Sequence, residues 1–242
     1  MFLLISFFVV ACIAYDVEES MTPAEMVAHW GYPVESHDIT TKDGYILSMI
    51  RISHGTVFEV NSSCRRPPIV MVHGLMVDSG EFVWNPPDSS PGMILADAGF
   101  DVFLLSVRGT TFSQRHVNMT KKDRQYWKFT MDEMAKYDVP AAIDKALQLN
   151  GANALYYVGH SQGTLLSFLM LADRPEYNKK VRAMFELGPF GTAHWLRGLT
   201  RILLWIDFKF NVFVDMYTRY LGAHEFGLRL PWFWSGLAHI VC

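Results

Sequence analysis

The stretch that decides the fold of this chain is Ala154-Leu-Tyr-Tyr-Val-Gly-His-Ser-Gln-Gly163, followed by the apolar run Thr164-Leu-Leu-Ser-Phe-Leu-Met-Leu-Ala172. Residues 154–158 are apolar, aromatic and β-branched, which is typical of a buried strand. The apolar run predicts a helix packed against a sheet. Glycines on both sides of Ser161 permit a sharp strand-to-helix turn that lifts the serine hydroxyl clear of the sheet.

The pentapeptide Gly159–Gly163 is weak evidence by itself, because a chain containing many glycines and serines can show this pattern by chance. The alternative interpretation is a glycine-bounded turn that carries an ordinary serine. The flanking strand and helix favour a nucleophilic serine, with the helix N-terminus pointing at the reaction centre.

Composition excludes several classes of protein. The chain has 242 residues, is half hydrophobic and 14% aromatic, and carries a formal net charge of −3. These values predict one globular domain with a sizeable core. Without a basic excess, no nucleic-acid partner is expected. Without a metal-ligand cluster or a phosphate-binding glycine loop, no metal and no cofactor are expected.

The N-terminus predicts entry into the secretory pathway. Residues 1–14 (MFLLISFFVVACIA) are uncharged and apolar, end in small residues and are too short to span a bilayer, which predicts a signal peptide. The triplets Asn61-Ser-Ser63 and Asn118-Met-Thr120 are candidate glycosylation sites. We therefore expect a secreted or lysosomal protein. Pairing of Cys64 with Cys242 stays open.

Strands that alternate with helices predict a mostly parallel sheet covered on both faces. Thr130 and Glu133 have capping-box spacing and open a helix to about Leu149, with Gly151 just beyond. Pro140 either kinks this helix or splits it. The remaining predicted elements are a hairpin of residues 36–41 and 45–52 about Lys42-Asp43-Gly44, strands at 69–72, 101–105 and 181–187, and a helix at 93–98.

The C-terminal part has a different pattern. Residues 195–234 are rich in aromatics and leucine, and Arg201, Asp207 and Lys209 interrupt the apolar run 199–214, which argues against a membrane-spanning helix. A helical cap is the better interpretation. Its apolar side suits either a lipid substrate or ordinary packing against the core. The predicted organisation is a signal peptide at 1–14, a core at 15–190 and a truncated cap region at 191–242.

Six stretches, the last of them within the segment quoted above, form a pattern that is more specific than any single motif. They are Met26-Val-Ala-His-Trp-Gly-Tyr32, Thr41-Lys-Asp-Gly-Tyr-Ile-Leu47, His73-Gly-Leu75, Arg108-Gly-Thr-Thr-Phe-Ser113, Trp127-Lys-Phe-Thr-Met-Asp-Glu-Met-Ala-Lys-Tyr-Asp138 and Val158-Gly-His-Ser-Gln-Gly163. Through them, nearly the whole chain after residue 14 resembles the acid lipase family of α/β-hydrolases, which contains the gastric and lysosomal acid lipases.

The resemblance implies an α/β-hydrolase fold and a mechanism. Ser161 would attack an ester carbonyl and form an acyl-enzyme, which water then hydrolyses. The backbone amides of Gln162 and Leu75 would form the oxyanion hole. His73 is interpreted as a packed loop histidine that shapes the turn.

The chain also departs from this family. In α/β-hydrolases the triad acid and histidine follow the serine along the chain, and in this family they lie well over a hundred residues beyond it. We therefore expect the triad acid and base, and the C-terminal strands, to be missing from this chain. Leu105-Ser-Val107 also replaces a more polar approach to Arg108. The later candidates, His194, His224, His239, Asp173, Asp207 and Asp215, are interpreted as cap or surface residues.

Two functions follow from the sequence. The first is a lipase that works at a lipid interface on neutral lipids, either triacylglycerols or sterol esters. The alternative is a catalytically inactive, lipase-like lipid-binding protein. The intact turn at Ser161 favours the first, whereas the expected absence of the triad acid and base favours the second.

Overall fold

The fold begins with the antiparallel hairpin that the sequence predicts. The computed structural model describes residues 17–56, 65–192, 197–198 and 201–202. Strands β1 (Val34–Thr40) and β2 (Tyr45–Ile52) pair from Val34 with Ile52 to Thr40 with Ile46. Gly44 adopts a φ of 94° in the turn between them, a conformation that favours glycine.

The hairpin joins a larger sheet in the order β1-β2-β4-β3-β6-β7, and the short strand β5 pairs with β2. β4, β3, β6 and β7 run parallel to one another, which confirms the predicted mostly parallel sheet. β3 and β4 are buried along their whole length, so both faces of the sheet are covered. The bounds are β3 Pro68–Val72, β4 Asp101–Ser106, β5 Arg115–His116, β6 Leu155–His160 and β7 Val181–Leu187.

The two faces of the sheet support separate apolar clusters. On β3, Val70 and Val72 point into one cluster, and Ile69 and Met71 point into the other, as strand alternation requires. Helices α4 and α5 pack in the first cluster, and α1 and α2 in the second. The helices are α1 Pro23–His29, α2 Pro91–Asp97, α3 Met131–Glu133, α4 Val139–Asn150 and α5 Gln162–Asp173.

The long helix predicted after Thr130 is split. Its capping box with Glu133 is present, but residues Met134–Asp138 form a π-helical turn between α3 and α4. Pro140 lies in the first turn of α4, where its missing N–H costs little. Gly151 ends α4 in the left-handed conformation, as predicted. The capping residues did not predict the π turn.

Some expectations fall outside the described residues, and one helix was missed. Outside the described residues lie the predicted signal peptide, nearly all of the predicted cap, Asn61, Cys64 and Cys242. Helix α1 was not predicted, although a capping box of Thr22 and Glu25 begins it. Within the described residues, β7 pairs only with β6.

Candidate active site

Ser161 lies on a strained turn between β6 and α5. Its φ of 47° and ψ of −102° are unusual for a residue with a side chain. Such a conformation costs about 1–3 kcal/mol and persists only where the surrounding structure enforces it. The Ser161 N–H donates to the Leu187 carbonyl at 2.9 Å, and the Thr164 N–H donates to the Ser161 carbonyl at 3.1 Å. The turn is therefore held from both sides.

The glycines around Ser161 are required by close packing. A Cβ atom on Gly163 would lie 2.2 Å from the carbonyl oxygen of Val72, at the end of β3. A Cβ atom on Gly159 would lie 2.6 Å from Oε2 of Glu186 and 2.8 Å from the backbone of α5. Real Cβ atoms do not approach other atoms so closely, so both positions need glycine. This confirms the steric reason for a glycine on each side of the serine.

Gln162 is the first residue of α5. Its side chain is buried and its Nε2 donates to Sδ of Met134 at 3.1 Å. As a first-turn amide, its N–H has no acceptor within the helix, and the helix dipole favours negative charge at this end. The Gln162 amide thus meets two requirements of an oxyanion donor.

His73 is a buried loop residue, and each of its ring nitrogens forms a hydrogen bond with a backbone group. Nδ1 lies 2.8 Å from the Gly74 carbonyl oxygen, and Nε2 accepts from the Val107 N–H at 3.1 Å. Because Nε2 accepts, the neutral ring carries its proton on Nδ1 and donates it to Gly74. Burial lowers the pKa of His73 to about 4. These contacts agree with a histidine that shapes the turn.

His73 also determines the direction of the Leu75 amide. Every described peptide bond is trans, so the Leu75 N–H points opposite to the Gly74 carbonyl. Since that carbonyl faces His73, the Leu75 N–H faces away from the buried ring. The next residue, Met76, has a φ of 67°, and the side chains of Leu75 and Met76 are 60% and 72% exposed. The loop therefore presents two apolar side chains to the surface.

The Leu75 loop and the Ser161 turn lie against each other. A Cβ atom on Gly74 would lie 2.9 Å from Nδ1 of His160, the residue before the serine. Glu81 contacts both segments, and burial raises the pKa of its carboxyl group. The structure thus brings together the segments that carry Ser161, Gln162 and Leu75. Sequence reasoning missed Glu81, for which no motif gave a signal.

Arg108 joins three of the family-like segments in one buried network. Its fully buried guanidinium binds Asp138 at 2.6 Å and Asp43 at 2.6 Å, and lies 4.0 Å from the centroid of the Tyr45 ring. Although burial opposes it, hydrogen bonds from Arg108 and Thr41 hold the pKa of Asp43 below its usual value. Three stretches singled out in the sequence therefore meet at one ion-pair network.

The other predicted residues lie elsewhere. Asn118 is exposed, as a glycosylation acceptor must be. Asp173 ends α5, a helix of 12 residues that begins directly after Ser161, which places Asp173 roughly 18 Å from Ser161 at about 1.5 Å per residue. No group of three or more metal-ligand side chains occurs among the residues that the structure describes. The remaining candidates for the triad acid and base, His194, His224, His239, Asp207 and Asp215, lie outside the described residues.

Comparison with known proteins identifies the family. A model described as alpha/beta hydrolase fold matches residues 67–225, which is more than half of the chain. The chain belongs to the α/β-hydrolase family. A second model, described as a partial alpha/beta-hydrolase lipase region, matches residues 23–86. The solved structure of PA2218 from Pseudomonas aeruginosa shares the fold, with a TM-score of 0.53 at 14% identity over 77% of this chain and 55% of that one.

The curated relatives of this α/β-hydrolase are lipases. Human lysosomal acid lipase/cholesteryl ester hydrolase is 44% identical over 182 residues, and human lipase member K is 41% identical over 178 residues. Each alignment covers 74% of this chain, and 45% and 44% of the relative respectively. Bovine gastric triacylglycerol lipase is 38% identical over 83% of this chain and 50% of the relative. The predicted resemblance to acid lipases is confirmed.

The chain spans about half the length of the curated relatives it matches. Across the described residues, every helix is too short or too polar to cross a bilayer.

Proposed function

We propose that this chain carries the nucleophile and the oxyanion hole of a lipase that hydrolyses ester bonds of neutral lipids. Ser161 attacks the ester carbonyl, and the alcohol leaves as an acyl-enzyme forms. Water then hydrolyses the acyl-enzyme. The amides of Gln162 and Leu75 bind the oxyanion in both tetrahedral intermediates.

The strained backbone at Ser161 is the observation that supports this proposal. A protein that only binds lipid gains nothing from a serine held at a φ of 47°, since that conformation costs free energy. A nucleophile gains an exposed hydroxyl at the N-terminus of a helix. The structure therefore favours the enzyme over the inactive lipid-binding alternative.

Proton transfer needs a histidine other than His73. Both nitrogens of His73 are occupied by backbone groups, and its lowered pKa keeps the ring neutral. The family order places the triad acid and histidine after the serine. A base that activates Ser161 is therefore expected beyond α5.

The names of the relatives support the substrate class and the localisation. Two of the relatives are named for triacylglycerol and cholesteryl ester, which are neutral lipids with ester bonds. We assign this chain the same substrate class. We also assign it a secretory or lysosomal route, supported by the apolar residues 1–14 and by the exposed acceptor Asn118.

Labelling with a fluorophosphonate probe tests the proposal. Labelling of the purified chain that is lost in Ser161→Ala would support the proposal, and it would mean that a base lies within these 242 residues, against the expectation from the sequence. Ser89→Ala is the matched control, because Ser89 is an exposed serine whose hydroxyl donates to its neighbour Asp88 and whose backbone bond to Pro86 the substitution keeps. Release of fatty acid from triacylglycerol and cholesteryl ester emulsions tests the substrate class. If a folded protein, judged by circular dichroism, stays unlabelled, the chain is an inactive homologue and the proposal is wrong.

A further inference from the structure

One buried carboxylate connects the two halves of the candidate oxyanion hole. The Gly74 N–H donates to Glu81, with N···O distances of 3.2 Å to Oε1 and 3.3 Å to Oε2. Oε2 of Glu81 also lies 3.2 Å from Nδ1 of His160, next to the nucleophile. The Glu81 side chain is only 13% exposed, whereas that of His160 is 46% exposed. Glu81 therefore contacts both the Leu75 loop and the Ser161 turn.

The segment that carries Glu81 is itself held rigidly. Asp78 accepts from the Gly80 N–H at 2.8 Å and caps a short 3₁₀ turn, Ser79–Phe82. The hydroxyl of Ser106, the last residue of β4, donates to Oγ of Ser79 at 2.9 Å and accepts from its N–H. A side chain on a turn fixed to a central strand can position its partners within a few tenths of an ångström.

We propose that Glu81 is a positioning residue for the oxyanion hole, clamping the Gly74–Leu75 backbone against His160 of the nucleophile turn. His73 directs the Leu75 N–H, and Glu81 holds the loop at the distance from Ser161 at which that N–H reaches the oxyanion. The catalytic consequence of this clamp rests on the function proposed above. The clamp itself is a property of the fold.

The carboxylate of Glu81 is suited to hold two donors at once. Its two oxygens accept from the Gly74 N–H and lie within hydrogen-bond distance of Nδ1 of His160. His160 and Asp78 are the titratable groups that face it. A glutamine keeps one acceptor oxygen with two lone pairs for these contacts, whereas an alanine keeps none. A carboxylate near the oxyanion also opposes the charge that develops there, which a glutamine does not.

Three variants test the clamp. We expect Glu81→Ala to slow fluorophosphonate labelling of Ser161 by about 10- to 100-fold, as loss or misplacement of an oxyanion donor does. Glu81→Gln keeps an acceptor for the Gly74 N–H and is expected to keep the rate within about threefold of the wild type. Glu176→Ala removes an exposed glutamate far along the chain from both segments and is the control.

Hydrogen exchange provides a readout that does not depend on Ser161 reactivity. The Gly74 amide should exchange faster in Glu81→Ala than in the wild type, and at the wild-type rate in Glu176→Ala. Unchanged Gly74 exchange in Glu81→Ala overturns the clamp. Faster exchange with unchanged labelling overturns its role in the oxyanion hole. If the wild type is never labelled, the proposed function fails while the exchange result still decides the clamp.

Discussion

Replacing Arg108 with methionine is the most direct test of the buried ion-pair network. Methionine keeps an unbranched apolar side chain of similar length but removes the guanidinium that binds Asp138 and Asp43. Asp138 is fully buried and would keep only the Arg108 backbone N–H, at 3.0 Å, from this residue. The substitution therefore leaves a buried carboxyl group without its counter-charge.

The size of the effect follows from burial. Removing one partner of a buried ion pair costs about 3–5 kcal/mol. For a domain of 150–250 residues, each kcal/mol lowers the melting temperature by roughly 2–4 °C, so we expect a decrease of about 6–20 °C. Arg108→Met combined with Asp138→Asn should recover part of this loss, because the uncompensated charge is then gone.

A surface pair provides the matched control. Arg115 binds Asp38, but their side chains are 55% and 58% exposed. Arg115→Met should therefore cost no more than about 1 kcal/mol. Urea unfolding monitored by circular dichroism measures both variants at pH 7. If Arg108→Met and Arg115→Met destabilise the protein equally, the buried network does not carry the stability that its geometry implies.

Two further predictions concern the strands and glycines near Ser161. Gly163→Ala should lower the free energy of unfolding by about 1–3 kcal/mol, because the added Cβ atom would clash with backbone atoms. Gly191→Ala is the control and should change the free energy little, because its Cβ atom would meet nothing within 4 Å. Equal unfolding midpoints in urea for the two variants would contradict this prediction. Burial raises the pKa of Glu186, and its Oε2 has no hydrogen-bond partner among the described residues. A folded-state pKa above the unfolded value means that stability falls as pH rises above about 4.5. Glu186→Gln should therefore melt at a higher temperature than the wild type at pH 7 and show a smaller advantage at pH 4; an equal advantage at both pH values would refute the assignment.

Local patterns predicted most of the elements. Glycines, capping residues and strand alternation act over a few residues, so the hairpin, β3, β4 and β7 appear close to where the sequence indicates. The nucleophile turn was predicted for the same reason, since Gly159, Ser161 and Gly163 carry its steric requirement in one pentapeptide.

The same reasoning failed where contacts distant in the chain decide the outcome. The π turn Met134–Asp138 interrupts the helix predicted from Thr130 to about Leu149, and it contains Asp138, which binds Arg108 30 residues away. Only the folded protein shows this pairing.

The sequence by itself determined the fold family, and it predicted the nucleophile and the residues of the candidate oxyanion hole. Only the tertiary structure decided how those residues are held. His73 directs the Leu75 amide, and Glu81 contacts both Gly74 and His160, although His160 lies 79 residues from Glu81 along the chain. The physical reason is that local backbone conformation depends mainly on residues that are neighbours in the chain. The partner of a buried polar group, in contrast, depends on which strands the sheet places side by side.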